Sequence, residues 1–217
     1  MTAPMAQELV LHDDELDEGC YRVRLLLSLL GLTARIVAVD VVPGGQQDSP
    51  GFRAISPAGV LPVLRIAGQD VCGAQAALLA LAYGRAGWWP DDGASFAQVA
   101  HWLDFAAGPL RAAIAARRAA LFGDGGDMAE LCRAGVAALR IMEDHMARRR
   151  LDGATWFVGD APGIVDVMLF PSFALSRDWV SHDRGAGHEF HPALRRWARA
   201  VRGLPGFVTM PGIPDYN

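Results

Sequence analysis

Strand-like patterns occur in this chain only before about Ala82, while beyond Asp92 apolar residues recur at three- and four-residue spacing. That division predicts a small α/β layer followed by a bundle of helices. In the first part Leu9-Val10-Leu11, Ala34-Arg35-Ile36-Val37-Ala38-Val39 and Val63-Leu64-Arg65-Ile66 read as strands, with Val71 on a further strand after a Gly68-Gln69 turn. A helix from Gly19 to Leu30 is stopped by Gly31, and another runs from about Ala74 to Tyr83. The predicted order is β-α-β, a connecting helix or loop after the polar stretch Pro43 to Pro50, then β-β-α.

In the second part Ser95 is placed to cap a helix bearing Val99, Trp102, Leu103, Phe105, Ala106, Leu110 and Ile114. A helix from about Met128 to Arg150 has Leu131, Val136, Leu139, Met142 and Met146 on one side. Ile164 to Ser176 is apolar enough to be buried all round, and Pro192 to Gly203 forms the last helix. Between the halves Gly84 to Gly93 is rich in Gly, Pro and Asp and reads as a linker. The expected division is residues 1–83, a linker 84–93, and a helical unit 94–217.

Of the 217 residues, 52% are hydrophobic, so a sizeable core is available and neither a disordered tail nor a disulfide-stapled module is expected. All 20 basic residues are Arg, which reads as compositional bias; against 24 acidic residues they leave a net charge of −4. That balance argues against a general nucleic-acid partner. The basic run Arg148, Arg149 and Arg150 reads as favourable charge at a helix C-terminus. No apolar run reaches membrane-spanning length, and Met1 to Glu8 lacks the pattern of a secretory signal. Cys20, Cys72 and Cys132 have no metal-ligand spacing and fit reduced thiols, so a cytoplasmic protein without nucleic-acid or membrane partner is expected.

Four segments in order carry a resemblance. Gly19-Cys20-Tyr21-Arg22-Val23-Arg24-Leu25-Leu26-Leu27-Ser28-Leu29-Leu30-Gly31-Leu32 is similar to the first-helix signature of bacterial glutathione transferases. Ser56-Pro57-Ala58-Gly59-Val60-Leu61-Pro62-Val63-Leu64 follows that family's Asn-Pro-x-Gly-x-Val-Pro-x-Leu pattern, with Ser and Leu as departures. Trp156 to Val167 resembles the turn that opens the central helix of the family's second domain, and Leu204-Pro205-Gly206-Phe207 resembles its usual ending. The resemblance implies the glutathione transferase fold: an α/β thioredoxin-like N-terminal domain plus an all-α C-terminal helical bundle. It further implies glutathione as cosubstrate, a small-molecule electrophile as partner substrate, and a homodimer.

It also assigns residues. The Leu61–Pro62 bond is expected to be cis, turning the Leu61 N–H and C=O toward the cysteinyl part of glutathione. The family's Glu-Ser or Gln-Ser, which holds the γ-glutamyl group at a helix N-terminus, falls on Gly73-Ala74, and neither side chain can hydrogen-bond. Losing two charge-assisted bonds removes about 3–6 kcal/mol of binding. Gln75 replaces the pair in part only if the register slips by one.

The hydroxyl that activates the glutathione sulfur falls on Asp17, an acceptor-only carboxylate that raises rather than lowers a neighbouring thiol's pKa. The Cys of another bacterial class falls on Cys20. Two readings of Cys20 stay open, a helix-terminal thiol that forms mixed disulfides and a small side chain packed at the helix start; the acidic cluster Asp13 to Glu18 opposes the first.

Trp102, Phe105, Leu110 and a tail around Phe207, Met210 and Tyr216 are candidates for an acceptor pocket between the domains, although core packing explains most of them equally. Asp166 is expected to reach back to the Gly163 N–H as half of a capping box. His188 and His191, beside Glu189, lack a third metal ligand. Besides a transferase that joins a thiol to an apolar electrophile, two readings stay open: an enzyme of this fold using another acidic ligand, and a binding protein that keeps the scaffold.

Overall fold

The computed structural model describes residues 8–123, 125–179 and 187–213. Four short strands, β1 (Leu9–Asp13), β2 (Ala34–Ala38), β3 (Val63–Ile66) and β4 (Gln69–Cys72), form one sheet in the order β2-β1-β3-β4. β1 runs parallel to β2, as a strand-helix-strand crossover requires, and antiparallel to β3. The β3–β4 hairpin turns on Ala67 and Gly68, because Ile66 pairs with Gln69. The turn is therefore one residue earlier than the sequence suggests. Both turn residues have positive φ, 54° at Ala67 and 77° at Gly68, the backbone that a two-residue hairpin requires. An alanine in that conformation gives no local signal.

Three helices pack with the sheet: α1 (Glu18–Leu29), the single turn α2 (Pro50–Arg53) and α3 (Ala74–Ala82). α1 stops at Gly31, whose φ of 64° suits the left-handed helix terminus. Leu9 and Leu11 on one face of β1 join the main core with α1 and α3. Cys72 belongs to the smaller cluster of Val39, Phe52 and Val63 on the opposite face, where its thiol donates to the Ile55 carbonyl at 3.3 Å.

The helical part comprises α4 (Gly93–Ala107), α5 (Arg111–Phe122), α6 (Met128–Leu151), α7 (Ile164–Ala174) and α8 (Pro192–Arg202). Two expectations shift. α4 is capped by Asp92, which accepts from the Ala94 and Ser95 N–H groups, while the Ser95 hydroxyl donates to Asp92. The single helix expected through Ile114 breaks at Gly108 into α4 and α5, so Leu110 and Ile114 lie beyond a corner. α7 is buried along its whole length, as its composition demands, and contacts α1, α3, α4 and α8. It is the central post against which the sheet layer and the bundle are both packed.

Candidate functional site

The site begins where β1 ends. The loop from Asp14 to Asp17 is held by its own polar groups: Asp14 Oδ1 accepts from the Leu16 N–H at 2.8 Å, and Asp17 Oδ1 caps α1 by accepting from the Cys20 N–H at 2.8 Å. Arg24, one turn into α1, reaches back to the Glu15 carbonyl at 2.9 Å and to the Asp13 carboxylate. A helix N-terminus directed at a strand end is thus fixed before any ligand arrives.

Asp17, Gly19, Pro62 and Ala74 meet at one point. A β-carbon placed on Gly19 would lie 2.9 Å from Asp17 Oδ1, 3.2 Å from Pro62 Cδ and 3.6 Å from Ala74 Cβ. Gly19 lets the first turn of α1 approach the proline loop and the start of α3; a side chain there would press on the rigid proline ring. The sequence offered Gly19 only as part of a motif, with no role of its own.

The Leu61–Pro62 bond is cis. The Pro62 carbonyl accepts from the Gly73 N–H at 2.8 Å, tying the loop to the start of α3. Among the described residues neither the N–H nor the C=O of Leu61 has a hydrogen-bond partner. Gly73 stands at the N-terminus of α3 with φ 87° and provides no side-chain cap. The first amides of α3, from Ala74 to Ala76, also lack acceptors among the described residues. Two rows of unpaired backbone groups therefore flank the meeting point, one along Leu61 and one at a helix N-terminus suited to an anion.

Cys20 does not have the properties of an activated thiol. Its side chain is 0% exposed, and its sulfur accepts from the Asp14 N–H at 3.3 Å. Burial, joined by the Asp17 and Asp13 charges, pushes the thiol far above its ordinary range. The packed reading of Cys20 is the one the geometry supports, and Asp17 acts as the cap that orients the helix.

Beside this point a cleft opens between the β1–α1 loop and the bundle, lined by Leu16, Asp17 and Glu18, by Val41 and Val42, and by Ile114, Arg117, Arg118 and Phe122 of α5. Arg117 donates to the Leu16 carbonyl at 2.8 Å and to Asp178 Oδ2 at 2.7 Å, and the Arg118 guanidinium lies over the Phe122 ring. Behind the cleft a buried polar group joins α1 to α7. Ser172 donates to Glu18 at 3.0 Å, and Arg22 donates to Ser172 at 2.9 Å and to Glu18 at 3.4 Å. Burial pushes the Glu18 carboxyl up and the Arg22 guanidinium down, and their mutual attraction opposes both shifts. The cleft is acidic on its loop side, through Asp14, Asp17 and Glu18, and cationic at its bundle wall, and none of its α5 residues except Ile114 carried a reading from sequence.

The expected acceptor-pocket residues lie elsewhere. Trp102 packs on Phe105, His145 and Phe157 at ring-centroid distances of 5.2, 4.6 and 4.9 Å. Both Trp102 and Phe105 are buried inside the bundle. Helical spacing identified a buried face correctly but could not say that the face meets α6 rather than the sheet layer. Tyr216 lies outside the described residues. The tail before it packs on α1, where the Tyr21 hydroxyl donates to the Val208 carbonyl at 2.7 Å.

Asp166 accepts from the N–H groups of Gly163 at 2.9 Å and Phe157 at 3.1 Å and from the Trp197 indole at 2.7 Å. Burial pushes its carboxyl up to about 6. It sits in the interior of the bundle and fixes α7. His188 and His191 are bonded to the Phe173 and Gly187 carbonyls, and no cluster among the described residues gathers three metal-ligating side chains. No helix among them is long and apolar enough to cross a membrane.

Known proteins match this arrangement along most of the chain. The glutathione S-transferase N-terminal domain family matches residues 20–82 and the glutathione S-transferase C-terminal domain family matches residues 126–200. A curated relative, the maleylacetoacetate isomerase of Rhizobium meliloti (strain 1021), is 30% identical over 186 residues, 81% of this chain and 84% of the relative. A glutathione S-transferase structure from Xanthobacter autotrophicus Py2 superposes with a TM-score of 0.78 at 26% identity, covering 94% of this chain and 98% of that one. Ure2p in complex with glutathione, at 22% identity, shares the fold with a TM-score of 0.78 over 94% of this chain and 98% of that one.

Proposed function

The chain belongs to the glutathione S-transferase family, and on that premise we propose that it binds glutathione weakly along Leu61 and presents the thiol to a small electrophile on the side of the β1–α1 loop that faces α5. The observation that carries this reading is the meeting of α1, Pro62 and α3 at Gly19, with the Leu61 backbone left unpaired beside it. An extended peptide laid along Leu61 gains the two hydrogen bonds of an added strand. Its γ-glutamyl carboxylate then reaches the α3 amides, where Gly73 and Ala74 offer backbone groups but no hydroxyl.

The cleft is lined by acidic side chains, Asp14, Asp17 and Glu18, as well as by Arg117 and Arg118, and Arg117 is already paired with Asp178, so the lining fixes no charge for the electrophile. The name of the Rhizobium meliloti relative suggests its chemistry, since maleylacetoacetate is an acidic compound with a double bond conjugated to carbonyl groups. Addition of a thiolate to such a bond forms a carbon–sulfur bond and moves the π pair onto the carbonyl oxygen as an enolate. Rotation about the new single bond and expulsion of the same thiolate complete an isomerisation without consuming glutathione; protonation of the enolate instead gives a conjugate. Asp17 disfavours the thiolate and holds the bound thiol above the ordinary value of about 8.5, so turnover is still rising with pH at that point.

Calorimetric titration with glutathione, beside an assay of thiol-dependent turnover of cis-enone acids and of a chloronitroaromatic, tests the reading. Millimolar binding with turnover supports it. No binding at tens of millimolar overturns it in favour of a second reading, an acidic ligand other than glutathione at the α3 N-terminus, which the loss of both side chains at Gly73-Ala74 favours.

We also assign the family's homodimeric state and a cytoplasmic location to this chain. Tyr83 and Phe96 are large, exposed and bridged by Trp89 at ring distances of 5.2 and 6.1 Å, a patch that a second copy would cover. Sedimentation at micromolar concentration reads the oligomeric state directly. The three cysteines are free thiols, which fits a reducing compartment.

A further inference from the structure

We propose that the pocket between the linker and the start of α7 binds a small organic cation of the quaternary ammonium class. The site is independent of the glutathione reading, since it shares no lining residue with the cleft beside α1.

The pocket holds about 670 Å³ of space open to solvent, within the range that small-molecule sites occupy. Three stretches of chain build it. The linker turns at Arg85, whose carbonyl accepts from the N–H groups of Trp88 at 3.1 Å and Trp89 at 3.0 Å, and so brings two half-buried indoles to the pocket in succession. The second turn of α4 adds Val99, and the segment leading into α7 adds Val158, Ile164 and Val165. Val99, Ile164 and Val165 are buried, which makes the floor apolar and the linker wall aromatic. Trp89 also bridges Tyr83 and Phe96 in the patch assigned to a second copy. Trp88 takes no part in that bridge, so it is the aromatic wall that belongs to this pocket alone.

Charge gives the site its sign. Asp91, Asp92, Asp160 and Asp166 line the pocket and no arginine does, in a chain whose acidic and basic residues number 24 and 20. Two of these carboxylates are engaged: Asp92 caps α4 through Ala94 and Ser95, and Asp166 accepts from Gly163, Phe157 and Trp197. The other two, Asp91 on the linker and Asp160 on the segment before α7, are exposed and have no ion-pair or hydrogen-bond partner among the described residues. Arg149, which reaches that segment from α6, is held by the Trp156 and Gly159 carbonyls. A cation is therefore favoured, and the floor selects its type. A primary ammonium entering the pocket loses water from its N–H groups and needs acceptors in exchange, but the buried acceptor, Asp166, already has three donors. A quaternary ammonium has no N–H to satisfy. Its methyl groups meet Val99, Ile164 and Val165, its charge lies against the indoles, and Asp91 and Asp160 balance it from the solvent side.

The probe is choline, titrated into the full isotope-labelled chain and followed by NMR, beside dimethylbutanol, its uncharged counterpart with carbon in place of nitrogen, and ethanolamine, its primary-amine counterpart. The indole N–H of Trp88 and the backbone amides of Asp91 and Asp160 should shift together along one curve of millimolar or tighter affinity. Asp91→Asn/Asp160→Asn should weaken choline about tenfold, and Trp88→Ala should do so by a similar factor. Circular dichroism and thermal melting establish that each variant is folded, and the asparagine pair, being exposed, keeps the test available if Trp88→Ala does not fold. No shift of these groups at tens of millimolar choline overturns the site, as does equal affinity for dimethylbutanol or unchanged affinity in the asparagine double variant. Ethanolamine binding as tightly as choline overturns the assignment to a quaternary ammonium. Displacement of choline by glutathione places the probe in the other cleft and also counts against the site.

Discussion

Replacing Ala74 by serine restores one hydroxyl at the first residue of α3 and should tighten glutathione binding without disturbing the fold. The Ala74 side chain already points to the meeting of Gly19 and Pro62, with its Cβ 3.6 Å from the position of a β-carbon on Gly19. A hydroxyl added there lies beside the point where Gly19 and Pro62 meet. One hydrogen bond to a charged group contributes about 1.5–3 kcal/mol, so affinity should rise by roughly 10- to 150-fold.

Restoring both members of the family pair confounds the measurement. Gly73 has φ 87° and ψ 148°, and although nothing lies within 4 Å of a β-carbon there, a non-glycine residue in that backbone costs about 1–3 kcal/mol. Gly73→Glu/Ala74→Ser therefore gains less than the sum of its contacts, and the single serine is the cleaner change. Calorimetric titration of both proteins with glutathione reads the effect. An affinity unchanged within threefold in a folded Ala74→Ser protein would refute the placement of the γ-glutamyl group at α3.

Three other outcomes follow from the interior. The Asp166 carboxyl is raised to about 6, so its protonated form favours the folded state: its contribution is full below about pH 4 and lost as pH rises through 6, a change of about 3 kcal/mol. Urea unfolding across that range should show the slope and Asp166→Asn should abolish it, while leaving donors from Gly163, Phe157 and Trp197 short of an acceptor and lowering stability by about 2–4 kcal/mol. Cys20 should resist thiol reagents in the native protein, and Cys20→Ala should keep full thiol-dependent turnover; fast native labelling or lost turnover would reinstate a catalytic cysteine. Arg22→Met should lower stability by about 3–5 kcal/mol, because Glu18 is left buried with Ser172 alone, and adding Glu18→Gln should recover part of that loss in a melting comparison.

Periodicity was enough to place nearly every strand and helix, because in the first half the spacing changes at turn residues such as Gly31 and in the second half it stays helical throughout. It failed where a single side chain decides. Ala67 hides a positive-φ turn residue, Asp92 and Ser95 both qualify as caps for α4 and bond to each other, and Gly108 breaks a helix whose apolar spacing runs on through Ile114. At the site, the Leu61–Pro62 segment was legible because a local motif sets it. The role of Gly19 was not, because it depends on the approach of Pro62 and Ala74 from distant parts of the chain. Trp102 shows the same limit from the other side: its spacing reported burial, and only packing against His145 and Phe157 decided which core it joined. The cleft cations Arg117 and Arg118 sit in an alanine- and arginine-rich helix that gave no sign of facing a ligand.

The central claim, glutathione held along Leu61 with its acid end on α3, is tested most directly by following backbone amide resonances of the labelled protein during a glutathione titration. The amides of Leu61, Ala74, Gln75 and Ala76 should shift together along one millimolar binding curve. Shifts confined to other residues, or none at these four at tens of millimolar glutathione, would contradict it.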